Sequence, residues 1–352
     1  FRTFLNCESR CMPFSKFDYS LYCKHRAWLW IKKHAKDLLP PIDEALQARF
    51  DEGHAFEPFV EALYPNLVRL GFNSYSEYLE MPDKTEEAWD YGAEVVSQGR
   101  YESDSITCIS DIVRRDGDAF ILTEIKSSSS AKKEHELDLA FQKVVLESAG
   151  YPIKRCEVAH VNNSYVRNGD ISSIELVGFT DITEEVESLI DGTKSRIEKA
   201  IRVAQANDMP DPSPEQAKLK SYDDWLGVRK KISPPLPDNS IHFLPNMDAE
   251  KSSKLVKEGI STVDEIKDWT VLKPSTQKYL AAKADGKRVV EKNISYLNSK
   301  LDTDDKIKES TYIISYRCHG AVSMNRSYDF EIVSSSLSFL FIDTFIVAEI
   351  SA

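Results

Sequence analysis

Long apolar runs are missing from this chain of 352 residues. The longest, Leu337 to Ile350, is about 14 residues and contains Asp343 and Glu349, too short and too charged to span a bilayer. An excess of positive charge is missing too. The formal net charge of -12 argues against a protein that coats nucleic acid along its length. It leaves room for a locally basic groove. The clusters Lys32, Lys33, His34 and Lys36, Arg114 and Arg115, Lys132 and Lys133, and Arg229, Lys230 and Lys231 could line one, or could be solvated surface charge. Paired cysteines are also missing. Cys7, Cys11, Cys23, Cys108, Cys156 and Cys318 are scattered, no secretory leader precedes them, and Cys7 and Cys11 lie too far from the rest for a zinc knuckle. Free thiols in a reducing cytoplasm are the expectation. No internal repeat is visible. The chain begins at Phe1, so the first eleven residues read as a fragment or an upstream extension, with Met12 a candidate start.

What is present is a globular composition. Hydrophobic residues make up 41%, aromatics 10% and charged residues 29%, enough to bury at least one core. The length suggests two domains. Phe17, Leu21, Trp28 and Ile31 recur at helical spacing, predicting a helix over 13–36 that ends by Pro40-Pro41. A second helix is expected over 42–64, ended by Pro65, then an irregular stretch with short strands over 66–101. Ser105–Arg115 and Ala119–Lys126 read as strands about an Asp116-Gly117 turn. Leu137, Ala140, Phe141, Val144 and Val145 predict a helix over 134–149 that stops at Gly150, and Cys156–Val161 is a buried type of strand. The order α-α-β-β-α-β is that of a mixed α/β domain. A long helix is expected over 182–206, a proline-rich linker over 207–247, and helices again over 248–300.

The hairpin carries the chemistry. With a two-residue Asp116-Gly117 turn, Arg115 faces Asp118 and Asp111 faces Leu122. Side chains alternate with period two, so Leu122, Glu124 and Lys126 share one face, and Asp111 lies on it. A loop longer by one residue, without a bulge, would move Glu124 to the other face. Two carboxylates and a lysine held together are costly unless a hard dication compensates, because carboxylate oxygens are its preferred ligands. Such an ion acidifies bound water and neutralises a reacting phosphodiester, and a lysine can stabilise the developing charge. The other reading is an ordinary hairpin with charged residues on its wet face.

The surrounding residues add a resemblance. Ser110-Asp111-Ile112-Val113, Thr123-Glu124-Ile125-Lys126-Ser127-Ser128-Ser129 and Ala140-Phe141-Gln142 resemble the PD-(D/E)XK nuclease superfamily. They look closest to its RecB-like branch, which includes the CRISPR adaptation nucleases. Gly53-His54-Ala55-Phe56-Glu57 is similar to that branch's first motif, and Ser15-Lys16-Phe17-Asp18-Tyr19 with Cys23-Lys24-His25-Arg26-Ala27-Trp28-Leu29 to its opening helix. His160 to Arg167 fits downstream. Within the branch the likeness is greatest to a bacterial family named only as a domain of unknown function, number 2779, and it spans about residues 13–206.

The resemblance implies a restriction-endonuclease-like core, a mixed β-sheet flanked by helices, followed by a smaller helical region. It implies a Mg²⁺- or Mn²⁺-dependent deoxyribonuclease of a bacterial cytoplasm, acting on DNA in defence or repair. Asp111 and Glu124 would ligate the metal with the Ile125 carbonyl, Glu57 or His54 would complete the shell, Lys126 would position water, and Gln142 would hold the site or touch the phosphate. Read from the residues alone, Gln142 is equally a helix-surface amide and His54 a capping or packing histidine. Relatives often carry an iron–sulfur cluster on one N-terminal and three later cysteines. Cys23 matches the first, but residues 207–240 contain none of the others, so no cluster is expected. Leu146 stands where the glutamine helix usually carries a tyrosine.

Leu255 to Ile266 resembles a helix–hairpin–helix, which would offer backbone N–H groups to phosphates, or is a plain helical pair. Phe341-Ile342-Asp343-Thr344-Phe345 loosely resembles the edge of an RNase H-like domain within the otherwise unassigned residues 301–352. Two further function classes stay open: a catalytically inactive nucleic-acid-binding module of the same fold, and an interaction scaffold that uses its acidic surface.

Overall fold

The hairpin expected between residues 105 and 126 forms the middle of a seven-stranded sheet in a computed structural model of the protein. The structure describes residues 13–39, 55–103, 105–218 and 221–284, together with the backbone of 338–342 and 345–349. The strands are β1 (Phe14–Ser15), β2 (Leu67–Arg69), β3 (Val95–Ser103), β4 (Ile106–Asp116), β5 (Ala119–Lys126), β6 (Ile153–Val161) and β7 (Val177–Asp181). In space they run β2-β3-β4-β5-β6-β7, with β1 paired to β4. Strands β3, β4 and β5 are antiparallel, β6 runs parallel to β5, and β1 runs parallel to β4.

A parallel pair needs a crossover, and α5 (Lys133–Ser148) supplies it between β5 and β6. The other helices of this unit are α1 (Lys16–Lys24), α2 (Arg26–His34), α3 (residues 55–61), α4 (Tyr75–Asp90), α6 (Ser173–Leu176) and α7 (Thr183–Gln205). The fold is therefore α/β, a mixed sheet flanked by helices, as expected of a restriction-endonuclease-like core. Strand β5 is buried from Phe120 to Ile125, covered on both faces. That is why its apolar run is nearly continuous instead of alternating. Phe56 and Val60 of α3 pack on Val95, Ile112, Ile125, Ala159 and Val177. Each of these side chains except Ala159 contributes about 1.5–3 kcal/mol of burial.

Three expectations change in this unit. The single helix over 13–36 is two helices, because His25 adopts extended backbone (φ -163°, ψ 131°) and its N–H caps Leu21 O. The His25 ring then accepts the Ala27 N–H at 3.1 Å and starts α2. The irregular stretch over 66–101 holds α4 and most of β3. Pro82 lies inside α4 and removes one helical donor, which masked it in the sequence. Met81, Thr85 and Trp89, four apart, form its buried stripe. A Cβ at Gly99 would sit 3.1 Å from Val96 Cγ1 and 3.2 Å from Thr85 Cγ2, so glycine there lets α4 lie close on β3. Thirdly, the hairpin turn is Gly117-Asp118, not Asp116-Gly117, because Gly117 takes the left-handed conformation (φ 68°).

A second unit comprises residues 35–46 and the chain from 211 onward. From residue 211 the expected linker is folded within it. Helix α8 (Tyr222–Arg229) buries Tyr222, Trp225, Leu226 and Val228, and the prolines separate short helices instead of spacing domains. Tyr222 Oη lies 2.9 Å from His242 Nδ1, and His242 Nε2 lies 3.0 Å from Glu215 Oε1. Helices α9 (Ala249–Lys257) and α10 (Pro274–Ala284) follow. After α9 comes one 3-10 turn, Val263–Glu265, instead of a second helix. The hairpin's N–H groups are taken internally: Gly259 and Ile260 donate to Val256 and Leu255 carbonyls, and Ser261 and Thr262 donate to Glu265. No row of free donors faces a phosphate there. Strands β8 (Ser338–Ile342) and β9 (Phe345–Glu349) pair antiparallel, while Asp343 and Thr344 lie outside the described residues. Among the described residues no helix is long and apolar enough to cross a membrane. Cys23, Cys108 and Cys156 are thiols.

Candidate active site

Strands β4 and β5 pair rung by rung from Asp116↔Ala119 to Ile112↔Thr123. The turn lies one residue later than expected, which moves each strand's partner by two and preserves the face. In this register Asp111 stands opposite Glu124 instead of diagonal to it. Regular pairing stops at that rung. Asp111 Oδ2 accepts the Ile125 N–H at 2.8 Å, so a side chain takes the place of a strand carbonyl. On the other flank β3 pairs at Ser97↔Ile112 and Gly99↔Ser110 but skips Gln98. Gln98 holds a left-handed backbone (φ 55°), uncommon for a residue with a Cβ, and its Nε2 lies 3.5 Å from Asp111 Oδ1. Strand β4 is thus opened on both sides at Asp111.

Beyond this fork β1 takes up the far end of β4, with Phe14↔Ile106 and Ser15↔Thr107. Lys16 follows at once as the first residue of α1, capped by Ser15. The cleft therefore has β5 on one lip and Lys16 on the other. Lys16 Nζ reaches across it to Glu124 Oε1 (3.1 Å) and Oε2 (3.3 Å). Lys126, two residues along the same face of β5, puts its Nζ 2.7 Å from Glu124 Oε1. Its other neighbour is Asp138 of α5 at 3.6 Å.

Gln142 is buried in the site and is not a surface amide. The crossover helix turns Phe141 onto Tyr19, with ring centroids 4.9 Å apart, and Gln142 toward the sheet. Gln142 Nε2 donates to Glu124 Oε2 at 2.5 Å. Gln142 Oε1 is buried with no hydrogen-bond partner among the described residues. An unsatisfied acceptor of this kind costs about 1–3 kcal/mol unless something fills the site beside it.

The charges follow from the burial. Desolvation and the neighbouring Glu124 charge push the Asp111 carboxyl from 3.8 up to about 7, against the pull of Lys16, the Ile125 N–H and Lys126. Burial would also raise Glu124, but Lys16, Lys126 and Gln142 outweigh it and hold its carboxyl well below the usual range. Burial would lower both lysines; the Glu124 charge overrides it and raises them. Both ammonium groups are therefore donors and not bases at neutral pH.

Asp111, Glu124, Lys126 and Gln142 come together as the sequence suggests. Ile125, expected to lend its carbonyl, is tied in by its N–H. Glu57 lies 3.9 Å from Arg69, and Glu61 beside it accepts from Ser97 Oγ at 2.8 Å. His54 lies outside the described residues. Among the described residues no group of three or more His, Cys, Asp or Glu side chains forms a metal site. The pair still suits Mg²⁺ or Mn²⁺. Mg²⁺ is commonly held by one or two carboxylates, with water and phosphate oxygens completing the shell. The orphaned Gln142 Oε1 and the two crowded carboxylates mark a place where a dication and its waters would relieve both. Sequence reading missed Lys16, Gln98 and Asp138. Asp138 was findable, since it lies four residues before Gln142 on the same helix face. Lys16 is 108 positions from Glu124, and only the β1–β4 pairing reveals it.

No family model and no curated protein matches the chain. Among solved structures, a phage-related exonuclease from Haemophilus somnus 129PT is similar over 53% of this chain and 92% of its own, at 14% identity and a TM-score of 0.24. The SSO0001 protein is similar over 58% of this chain and 93% of its own, at 12% identity and a TM-score of 0.22. Likenesses this slight bear on neither site nor activity.

Proposed function

We propose that this chain is a metal-dependent nuclease of the PD-(D/E)XK superfamily and its RecB-like branch, hydrolysing phosphodiester bonds in DNA with Mg²⁺ or Mn²⁺. The observation that carries the reading is the fork: Asp111 and Glu124 face each other where β4 and β5 part, with the Lys126 ammonium 2.7 Å from Glu124. When bound, the metal would acidify a water and neutralise phosphodiester charge. Asp111 and Glu124 would hold it. Lys126 is 31% exposed, so its ammonium can turn from Glu124 to the phosphate and stabilise the oxygen charge that builds as water attacks phosphorus and the ester P–O bond breaks. Gln142 fixes Glu124 from behind, and Gln98 lies against Asp111. The resemblance to the CRISPR adaptation nucleases supports a role in defence or repair in a bacterial cytoplasm.

Purified protein should degrade single- or double-stranded DNA with Mn²⁺, and Lys126→Ala should abolish this. Cutting that survives both Asp111→Ala and Glu124→Ala sinks the assignment. A second reading, an inactive nucleic-acid-binding module of the same fold, draws on Glu124 being held by two ammonium groups, with no group of three or more His, Cys, Asp or Glu side chains placed to hold a metal among the described residues. Calorimetry without Mn²⁺ heat, alongside salt-sensitive DNA binding, would favour it.

A further inference from the structure

We infer that Lys16 is a placeholder cation: its ammonium occupies Glu124 while the site lacks metal and must be displaced when a divalent ion binds. The inference rests on the proposed metal-dependent reading. Three observations support it. Glu124 is 1% exposed, so water cannot compensate its charge and a cation must be present in every state. Lys16 Nζ lies within 3.3 Å of both carboxylate oxygens, so it occupies the carboxylate that a dication would need. Its side chain is 28% exposed, which leaves a path by which it can withdraw.

The anchoring of the two lysines separates their roles. Lys126 stands on the same strand as Glu124, two residues away, so its backbone is fixed beside Glu124 and, without a phosphate to turn to, its ammonium stays there. Lys16 comes from the opposite lip, held by the two β1–β4 pairs that end one residue before it. Its four-carbon stem can swing while its Cα stays fixed. A metal ion arriving at Glu124 meets one ammonium that belongs to the strand and one that bridges the opening. The second is the one it replaces. Lys16 is thus a positioning residue whose contact with Glu124 opposes metal binding.

The test is calorimetric titration of Mn²⁺ into the full chain without nucleic acid, for wild type, Lys16→Met and Lys16→Arg. Lys16→Met should bind Mn²⁺ at least about tenfold more tightly, the scale on which residues behind a ligand alter metal affinity. Lys16→Arg should shift affinity the other way, because a guanidinium grips a carboxylate with two parallel bonds. Melting gives a second readout. Lys16→Met should melt lower than wild type in chelator, and saturating Mn²⁺ should raise its melting temperature by more than it raises that of wild type. If Lys16→Met fails to fold, the Arg variant decides: Mn²⁺ affinity equal to or tighter than wild type overturns the proposal. Equal affinity in wild type and Lys16→Met overturns it while leaving the nuclease reading intact. If neither wild type nor variants bind Mn²⁺, both fall.

Discussion

Replacing Asp18 should loosen the helix that carries Lys16, by an amount that divides between a cap and an ion cluster. Asp18 is 1% exposed in the first turn of α1. It completes a capping box with Ser15, accepting the Ser15 N–H at 3.0 Å while its own N–H donates to Ser15 Oγ at 3.2 Å. Its two oxygens also take Lys32 at 2.7 Å and Lys33 at 2.8 Å from the last turn of α2. Losing a cap costs about 1 kcal/mol. Stripping the partner from a buried ion pair costs about 3–5 kcal/mol. The two lysines are 23% and 27% exposed and can turn to water, so the ionic part falls below that range. Asp18→Ala should therefore cost about 2–4 kcal/mol in all. Asp18→Asn keeps an acceptor for Ser15 and should cost about half as much. At roughly 2–4 °C per kcal/mol for a unit of this size, the Ala variant should melt roughly 4–16 °C lower.

The assay is thermal unfolding by circular dichroism in chelator, across pH. Burial would raise the Asp18 carboxyl, but Lys32 and Lys33 reverse this and hold it below 3.8. Its contribution is thus fully present above the ordinary carboxylate range and is lost as pH falls through the lowered value. Wild type and Asp18→Ala should converge in acid. A loss under 1 kcal/mol at pH 7, equal losses for Asn and Ala, or a gap unchanged at pH 3 would refute the reasoning.

Two further outcomes follow from the site. Asp111→Asn should abolish cleavage yet stabilise the metal-free protein at pH 8, since burial and the Glu124 charge raise the Asp111 carboxyl and make its ionised form costly. The cost of that charge grows as pH rises from 3.8 through about 7, so the gain must shrink toward pH 4, and a pH-independent gain in melting curves would count against it. Gln142→Leu removes one donor and one unpartnered acceptor together; stability should change little while cleavage falls about tenfold, and full activity would remove Gln142 from the machinery.

Position along the chain decides how much could be read from it. Asp111, Glu124 and Lys126 were legible because strand periodicity is strict and a two-residue turn preserves the face even when it is placed one residue off. Local turn chemistry, the left-handed Gly117, fixed the true register. Helix α4 was obscured by Pro82, whose missing donor the helix tolerates because Met81, Thr85 and Trp89 are buried. The prolines of 207–247 suggested a spacer, yet Trp225 is completely buried among them. Proline reports backbone restriction and not the absence of packing. Lys16 and Gln98 left no local trace: one is brought in by a two-residue parallel pairing and the other by a single left-handed residue beside the fork.

The Ile125 N–H held by Asp111 has an evolutionary consequence. The carboxylate to which the proposed function gives the metal is also a structural staple of the sheet, so on that proposal selection on stability and selection on catalysis act on the same atoms. A descendant that lost activity would still keep Asp or Asn at 111, because Ala would leave a buried donor unpaired at about 1–3 kcal/mol. Lys126, partly exposed and paired with Glu124 and Asp138, holds no backbone group of the sheet and would be freer to drift. Among relatives, an intact Asp111 would then testify to the fold, and position 126 would separate the working enzymes from the retired ones.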